Sequence, residues 1–165
     1  MGRLEFPPGI RMSELRDANI AVAEAFYRAL EVGDFEALAD LHADDVVFNL
    51  LGSTPVSGRW EGKAECFGPL VADMVVGKLE PETIQFSRQW RIMCADEKRV
   101  VGLMKGGGRA KNGHDYMQTY CQIMTITDGQ IVELHELFDT ALVELCLNDN
   151  PTVKGPSEVA KAFEF

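Results

Sequence analysis

The sequence predicts an α+β fold in which N-terminal helices pack on one mostly antiparallel sheet, and three observations predict it. Helical periodicity is confined to the first half of the chain, two-residue alternation fills the second half, and strands and helices nowhere alternate as a parallel nucleotide-binding sheet requires. With 165 residues, 46% of them apolar and 25% charged, the chain is expected to bury one core.

Residues 1–12 carry Pro7, Pro8 and Gly9 and read as an irregular leader. From Ser13 onward Ile20, Ala23, Tyr27 and Leu30 repeat at helical spacing, Val22 and Phe26 widen the stripe, and Gly33 ends it. Asp34 is placed to cap a second, short helix through Phe35, Leu38 and Leu41. The β-branched run Val46-Val47-Phe48 begins the first strand, and Gly52, Pro55 and Gly58 mark an ordered loop after it. Residues 61–77 return to helical periodicity through Ala64, Phe67, Val71 and Met74.

From Thr83 the pattern is all strand. Ile84, Phe86, Trp90, Ile92 and Cys94 fall on one face and Gln85, Ser87, Gln89 and Arg91 on the other, with Arg88 breaking the apolar row. Strands over 100–105 and 116–126 follow, bracketing a turn-rich connection that contains Gly106-Gly107-Gly108 and Asn112-Gly113. Asp128-Gly129 reverses the chain into a last strand over 131–138, which leads to a helical turn at Ala141-Leu142-Val143. The domain is expected to span 13–147, followed by a polar tail over 148–165 that covers the pocket mouth or a neighbouring subunit.

Charge and motifs narrow the function. A formal net charge of −10 opposes phosphate backbones and anionic lipid, so neither nucleic acid nor a membrane is an expected partner. The first twelve residues hold no apolar run of signal-peptide length, and a cytoplasmic location is expected. Cys66, Cys94, Cys121 and Cys146 lack C-x-x-C spacing and are expected to be reduced, mostly buried thiols with no metal bound. The triple glycine beside Lys105 lacks the order of a phosphate-binding loop and is expected to be a flexible hairpin connection, so no cofactor is implied. His42, at a helix end, and His114, beside a turn, carry no expected role.

The last strand is the informative one. Val132, Leu134, Glu136, Phe138 and Thr140 share a face by alternation, which sets a carboxyl in an apolar row. Such a group either titrates near neutrality, as a general acid or base does, or pairs with the other charge in an apolar row, Arg88. Its neighbours depend on register. A two-residue turn at Asp128-Gly129 puts Thr119, Cys121 and Ile123 beside it, whereas a three-residue loop with Gly129 at a bulge puts Tyr120, Gln122 and Met124 there.

The stretches DFEALADLHADDVVFNLLGSTPVSGRWEG and YMQTYCQIMTITDGQIVELHELFDTALV resemble SnoaL-like proteins related to ketosteroid isomerase, within the NTF2-like superfamily, over residues 15–146. The resemblance implies a cone-shaped α+β fold whose curved sheet wraps the N-terminal helices and encloses a pocket, a homodimer, and the three-residue loop that places Tyr120 and Gln122 inside. Ketosteroid isomerase carries a tyrosine and two aspartates where this chain has Phe26, Leu50 and Gln122, so steroid isomerisation itself is not implied. The segment from His135 to Asp139 is similar to one in limonene-epoxide hydrolase, with Glu136 at an aspartate that orients water.

The expected function is a cofactor-independent lyase, isomerase or cyclase acting on a small, largely apolar, aromatic or cyclic molecule. Glu136 moves the proton, Tyr120 and Gln122 hydrogen-bond developing charge, and Arg88 neutralises an anionic group. Asn49 and Trp60 flank the loop after the first strand and, with Phe26, Phe48, Leu50 and Phe138, are expected to contact the substrate. The alternatives are a non-catalytic binding or dimerisation module and an epoxide hydrolase.

Overall fold

The computed structural model describes residues 12–151, so the leader up to residue 11 and the tail from 152 lie outside the described residues. Helix α1 (Met12–Val32) ends at Gly33, whose φ of 71° is a left-handed C-terminal conformation that glycine adopts without strain. Asp34 then caps α2 (Phe35–Asp40), its Oδ1 accepting from Ala37 N at 2.9 Å. Strand β1 (His42–Leu50) begins four residues before the β-branched run, and β2 (Gly58–Glu61) returns antiparallel to it from the glycine-containing loop. The third helical region opens as α3 (Lys63–Glu65) and continues as a π-helical segment, Cys66–Val75, in which Pro69 supplies no N–H for regular i→i−4 bonding.

Strands β3 (Gln85–Ala95), β4 (Arg99–Arg109), β5 (Asp115–Thr127) and β6 (Gln130–Leu137) form the meander, and α4 (Thr140–Leu147) closes the described chain. The sheet order is β2-β1-β6-β5-β4-β3, antiparallel except where β1 runs parallel to β6. The inner face carries the buried residues of each strand, among them Val46, Phe48, Leu50, Tyr116, Tyr120, Met124 and Leu134, and Phe26, Tyr27 and Leu70 pack over them from the helices. This is the α+β architecture expected from the sequence.

Three local features depart from expectation. The chain reverses after β5 through Asp128 (φ 51°) and Gly129 (φ 79°), a two-residue turn, with Thr127 opposite Gln130 and Ile126 opposite Ile131. Thr125 then faces Glu133, so Val132 is an extra residue on β6 and the register shifts by one. From that bulge on, Gln122 lies opposite Glu136, the pairing that the three-residue loop was expected to produce.

In β3 the register shifts by two residues between Gln85 and Gln89, so Phe86 and Ser87 are both buried and Arg88 is exposed. Arg88 is not an ion-pair partner of Glu136, and no salt bridge among the described residues joins them. The triple glycine is not a hairpin connection but the buried interior of β4, paired along β5. A methyl on Gly106 would overlap the Phe86 carbonyl and one on Gly107 the Tyr116 carbonyl, so the bulged β3 and the rim of β5 approach where only glycine fits.

Gly102, opposite Gln122, has the same role for a side chain: a methyl there would overlap the Tyr27 hydroxyl, and that ring is buried and stacked on Trp90 at 5.1 Å between centroids. Overpacking of this kind costs about 1–3 kcal/mol. Gly102→Ala is therefore expected to lower stability by that amount in urea titrations, whereas an exposed glycine such as Gly113, with nothing near its missing Cβ, marks a site of turn geometry instead.

Candidate functional site

Between the inner sheet face and the helices lies a partly open hollow of about 100 Å³. Its walls are apolar over most of their extent, with Phe26 and Leu30 from α1, Phe67 and Val71 from the π-helical segment, and Phe48 and Leu50 from β1. The polar groups entering it are few: His42, Tyr116, Tyr120, Gln122 and Glu136.

Glu136 reaches the hollow from β6 because the Val132 bulge restores its inward parity. Gln122 Nε2 donates to its Oε1 at 2.7 Å. Burial raises the Glu136 pKa from 4.5 to about 7, and the Gln122 hydrogen bond, which favours the carboxylate, limits that rise. The other end of the amide, Gln122 Oε1, is buried with no hydrogen-bond partner among the described residues.

Tyr116 and Tyr120 project from the same face of β5, four residues apart, and the Tyr120 hydroxyl donates to that of Tyr116 at 3.3 Å. Burial pushes the Tyr116 phenol up to about 12 and Tyr120 well above its ordinary value, and the nearby Glu136 charge adds to both. These phenols therefore remain protonated donors at neutral pH. Gln118, fully buried between them in sequence, donates to Asp139 O at 2.9 Å and accepts from Asp139 N at 2.8 Å. That pair of hydrogen bonds between side chain and backbone fixes the chain after β6, where Phe138 joins the wall, and Asp139 Oδ1 then caps α4.

Of the residues expected at the site, Glu136, Tyr120, Gln122, Phe26, Phe48, Leu50 and Phe138 line the hollow. Three do not. Arg88 is exposed because β3 bulges beside it. Asn49 lies on the opposite sheet face, since Phe48 and Leu50 take the inward positions, and its Nδ2 donates to Glu133 Oε1 at 3.0 Å. Trp60 is outside the lining but supports it: Nε1 donates to the carbonyl of Val56, a wall residue, at 3.0 Å.

Sequence reasoning missed His42, which is fully buried and lines the hollow. Its even-numbered parity with Val46, Phe48 and Leu50 was the available signal, hidden by the exposed Asp44 between them, where β1 and β6 slip in register. Nδ1 lies 2.7 Å from Leu38 O, and burial lowers the pKa from 6.5 to about 4. All four cysteines are unbridged; Cys66 and Cys146 are buried, Cys121 is half-buried and Cys94 is exposed. No helix among the described residues is long and apolar enough to cross a membrane.

Residues 23–134 match the family described as SnoaL-like domain. Among solved structures, the NTF2-like protein of Burkholderia xenovorans LB400 superposes with a TM-score of 0.63 at 20% identity, covering 81% of this chain and 98% of that one. Bal32a, from a soil-derived mobile gene cassette, gives 0.68 at 16% identity, with 81% and 98% covered. An LEH-like epoxide hydrolase of M. tuberculosis gives 0.57 at 20% identity, with 82% and 92% covered. At such identities the likeness is one of fold. No curated protein matches the sequence.

The two shifted groups act oppositely on stability. Glu136, with its folded pKa raised, contributes stability below pH 4.5 that is lost as pH rises through about 7. His42, with its folded pKa lowered, contributes stability above pH 6.5 that is lost as pH falls through about 4. Glu136→Gln removes the first effect only. The variant's stability relative to wild type is expected to rise by roughly 2–3 kcal/mol between pH 4.5 and 7.5 in paired urea titrations.

Proposed function

We propose that this chain, which belongs to the SnoaL-like domain family, is a cofactor-independent acid/base enzyme of the lyase, isomerase or cyclase kind, acting on a small, largely apolar, cyclic or aromatic molecule. The observation that carries the reading is Glu136: a carboxyl at the wall of an apolar hollow, held by Gln122 at 2.7 Å and titrating near neutrality. Near pH 7 such a group exists in both protonation states, so it can take a proton and return it.

For a carbonyl substrate the step balances simply. The carboxylate takes a proton from the carbon beside the carbonyl, the C–H electron pair moves into the enolate, and the phenol of Tyr116, itself accepting from Tyr120, supplies a hydrogen bond to the oxygen where charge develops. Return of the proton to another position, or loss of a β-substituent, completes an isomerisation or an elimination. Epoxide hydrolysis is less well supported, because it uses a second acid and Glu136 is the only carboxyl among the described residues of the wall. A binding module would use the same apolar wall without the proton transfer.

The test is hydrogen exchange at carbon. Small cyclic ketones such as α-tetralone and 2-methylcyclohexanone are incubated with the protein in D₂O, and loss of the α-proton signal is followed by NMR. Wild type is expected to accelerate exchange for at least one such compound, and Glu136→Gln to reduce that acceleration by at least about 100-fold while remaining folded. Ketones that bind without exchange would replace the enzyme with the binding module, and catalysed exchange unaffected by the substitution would overturn Glu136 as the base.

A further inference from the structure

His42 sits at the far end of the hollow from Glu136. It begins β1 opposite Ile131 of β6, whereas Glu136 lies opposite Leu50. The two levels are thus five β6 residues apart, roughly 16 Å of backbone at the rise of a strand. Nδ1 of the imidazole is 2.7 Å from Leu38 O, and since a carbonyl only accepts, Nδ1 carries the proton and Nε2 the lone pair. Burial, with a smaller contribution from Lys63, keeps the ring neutral above pH of about 4.

The surroundings of that lone pair are aromatic. Phe26, Phe48 and Phe67 pack on the imidazole with ring centroids at 5.8, 5.4 and 5.1 Å. Nε2 is buried and has no hydrogen-bond partner among the described residues. Leaving such an acceptor unsatisfied is destabilising, yet the imidazole that carries it lines the hollow.

We infer that His42 Nε2 is the second polar anchor of the hollow, accepting a hydrogen bond from a hydroxyl or N–H group on an elongated and otherwise apolar ligand whose other end meets Glu136. This rests on reading the hollow as a small-molecule site and adds the ligand's class: a molecule with a donor at the end remote from the reacting carbon. The rings around His42 select a flat substituent carrying that donor, such as a phenol, because a flat body packs against them while the donor lies in its plane.

Three probes of one shape separate the donor from the apolar body: 2-naphthol, 2-methoxynaphthalene and naphthalene, with affinities measured by calorimetry. One net hydrogen bond corresponds to a preference of about 3- to 10-fold for 2-naphthol over its methyl ether, and His42→Phe is expected to abolish it. Because that substitution also unpairs Leu38 O, wild-type protein provides an independent reading: the ¹⁵N resonance of Nε2 is expected to move upfield with 2-naphthol and to stay put with the ether. Equal affinities, or an Nε2 signal unmoved by 2-naphthol, would overturn the anchor while naphthalene binding left the pocket intact. Failure of all three probes to bind would overturn both.

Discussion

The hydrogen bond between Gln122 and Glu136 depends on one extra residue in β6. Without Val132 bulged against β5, the two-residue turn at Asp128-Gly129 would carry Cys121 opposite Glu136, and the carboxyl would be paired with a thiol-bearing position whose side chain faces the outer surface. With the bulge, Tyr116, Tyr120, Gln122 and Glu136 share the inner face. The same shift buries Leu134 and leaves His135 and Glu133 on the outer face with Asn49. A single insertion in the ladder thereby sorts the polar groups of two strands between the hollow and the surface.

The hollow then acts as a low-dielectric solvent for the few polar atoms it admits. Burial opposes charge in each, raising the carboxyl and both phenols and lowering the imidazole. Near neutral pH the result is an uncharged histidine, protonated tyrosines and one carboxyl near its midpoint. Proton movement is accordingly concentrated on Glu136, and the remaining groups are donors or acceptors of fixed sense. Orphaned atoms at Gln122 Oε1 and His42 Nε2 are unfavourable for the empty fold and favourable for a molecule that satisfies them.

Much of this was legible in the residues. The helix-first order, five of the six strands and the anomalous carboxyl in the row of Leu134 and Phe138 follow from periodicity alone, while β2 reads as loop, and Gly33 and Asp34 end and begin helices as their chemistry requires. What escaped depended on bulges, which alternation does not announce. Arg88 and Ser87 exchange faces at one of them, and the residues alone leave the Asp128-Gly129 turn open between two and three residues, the longer one being implied only by the resemblance, because the register shift lies at Val132 and not in the turn. The triple glycine looked like a connection because its requirement is tertiary: the carbonyls of Phe86 and Tyr116 occupy the space of its missing side chains. His42 was passed over since burial of a histidine after a helix end is decided by packing that joins Phe48 of its own strand to Phe26 and Phe67 on other elements.

The ionisation of Glu136 is the quantity on which the functional reading turns. Carbon-13 NMR of protein labelled at the glutamate side-chain carboxyl, assigned by comparison with Glu136→Gln, follows it directly through a pH titration. A midpoint near 7 is expected, as burial in the hollow requires. A midpoint at or below 4.5 would mean that the carboxyl is solvated or paired with a cation, and the acid/base role would fall with it.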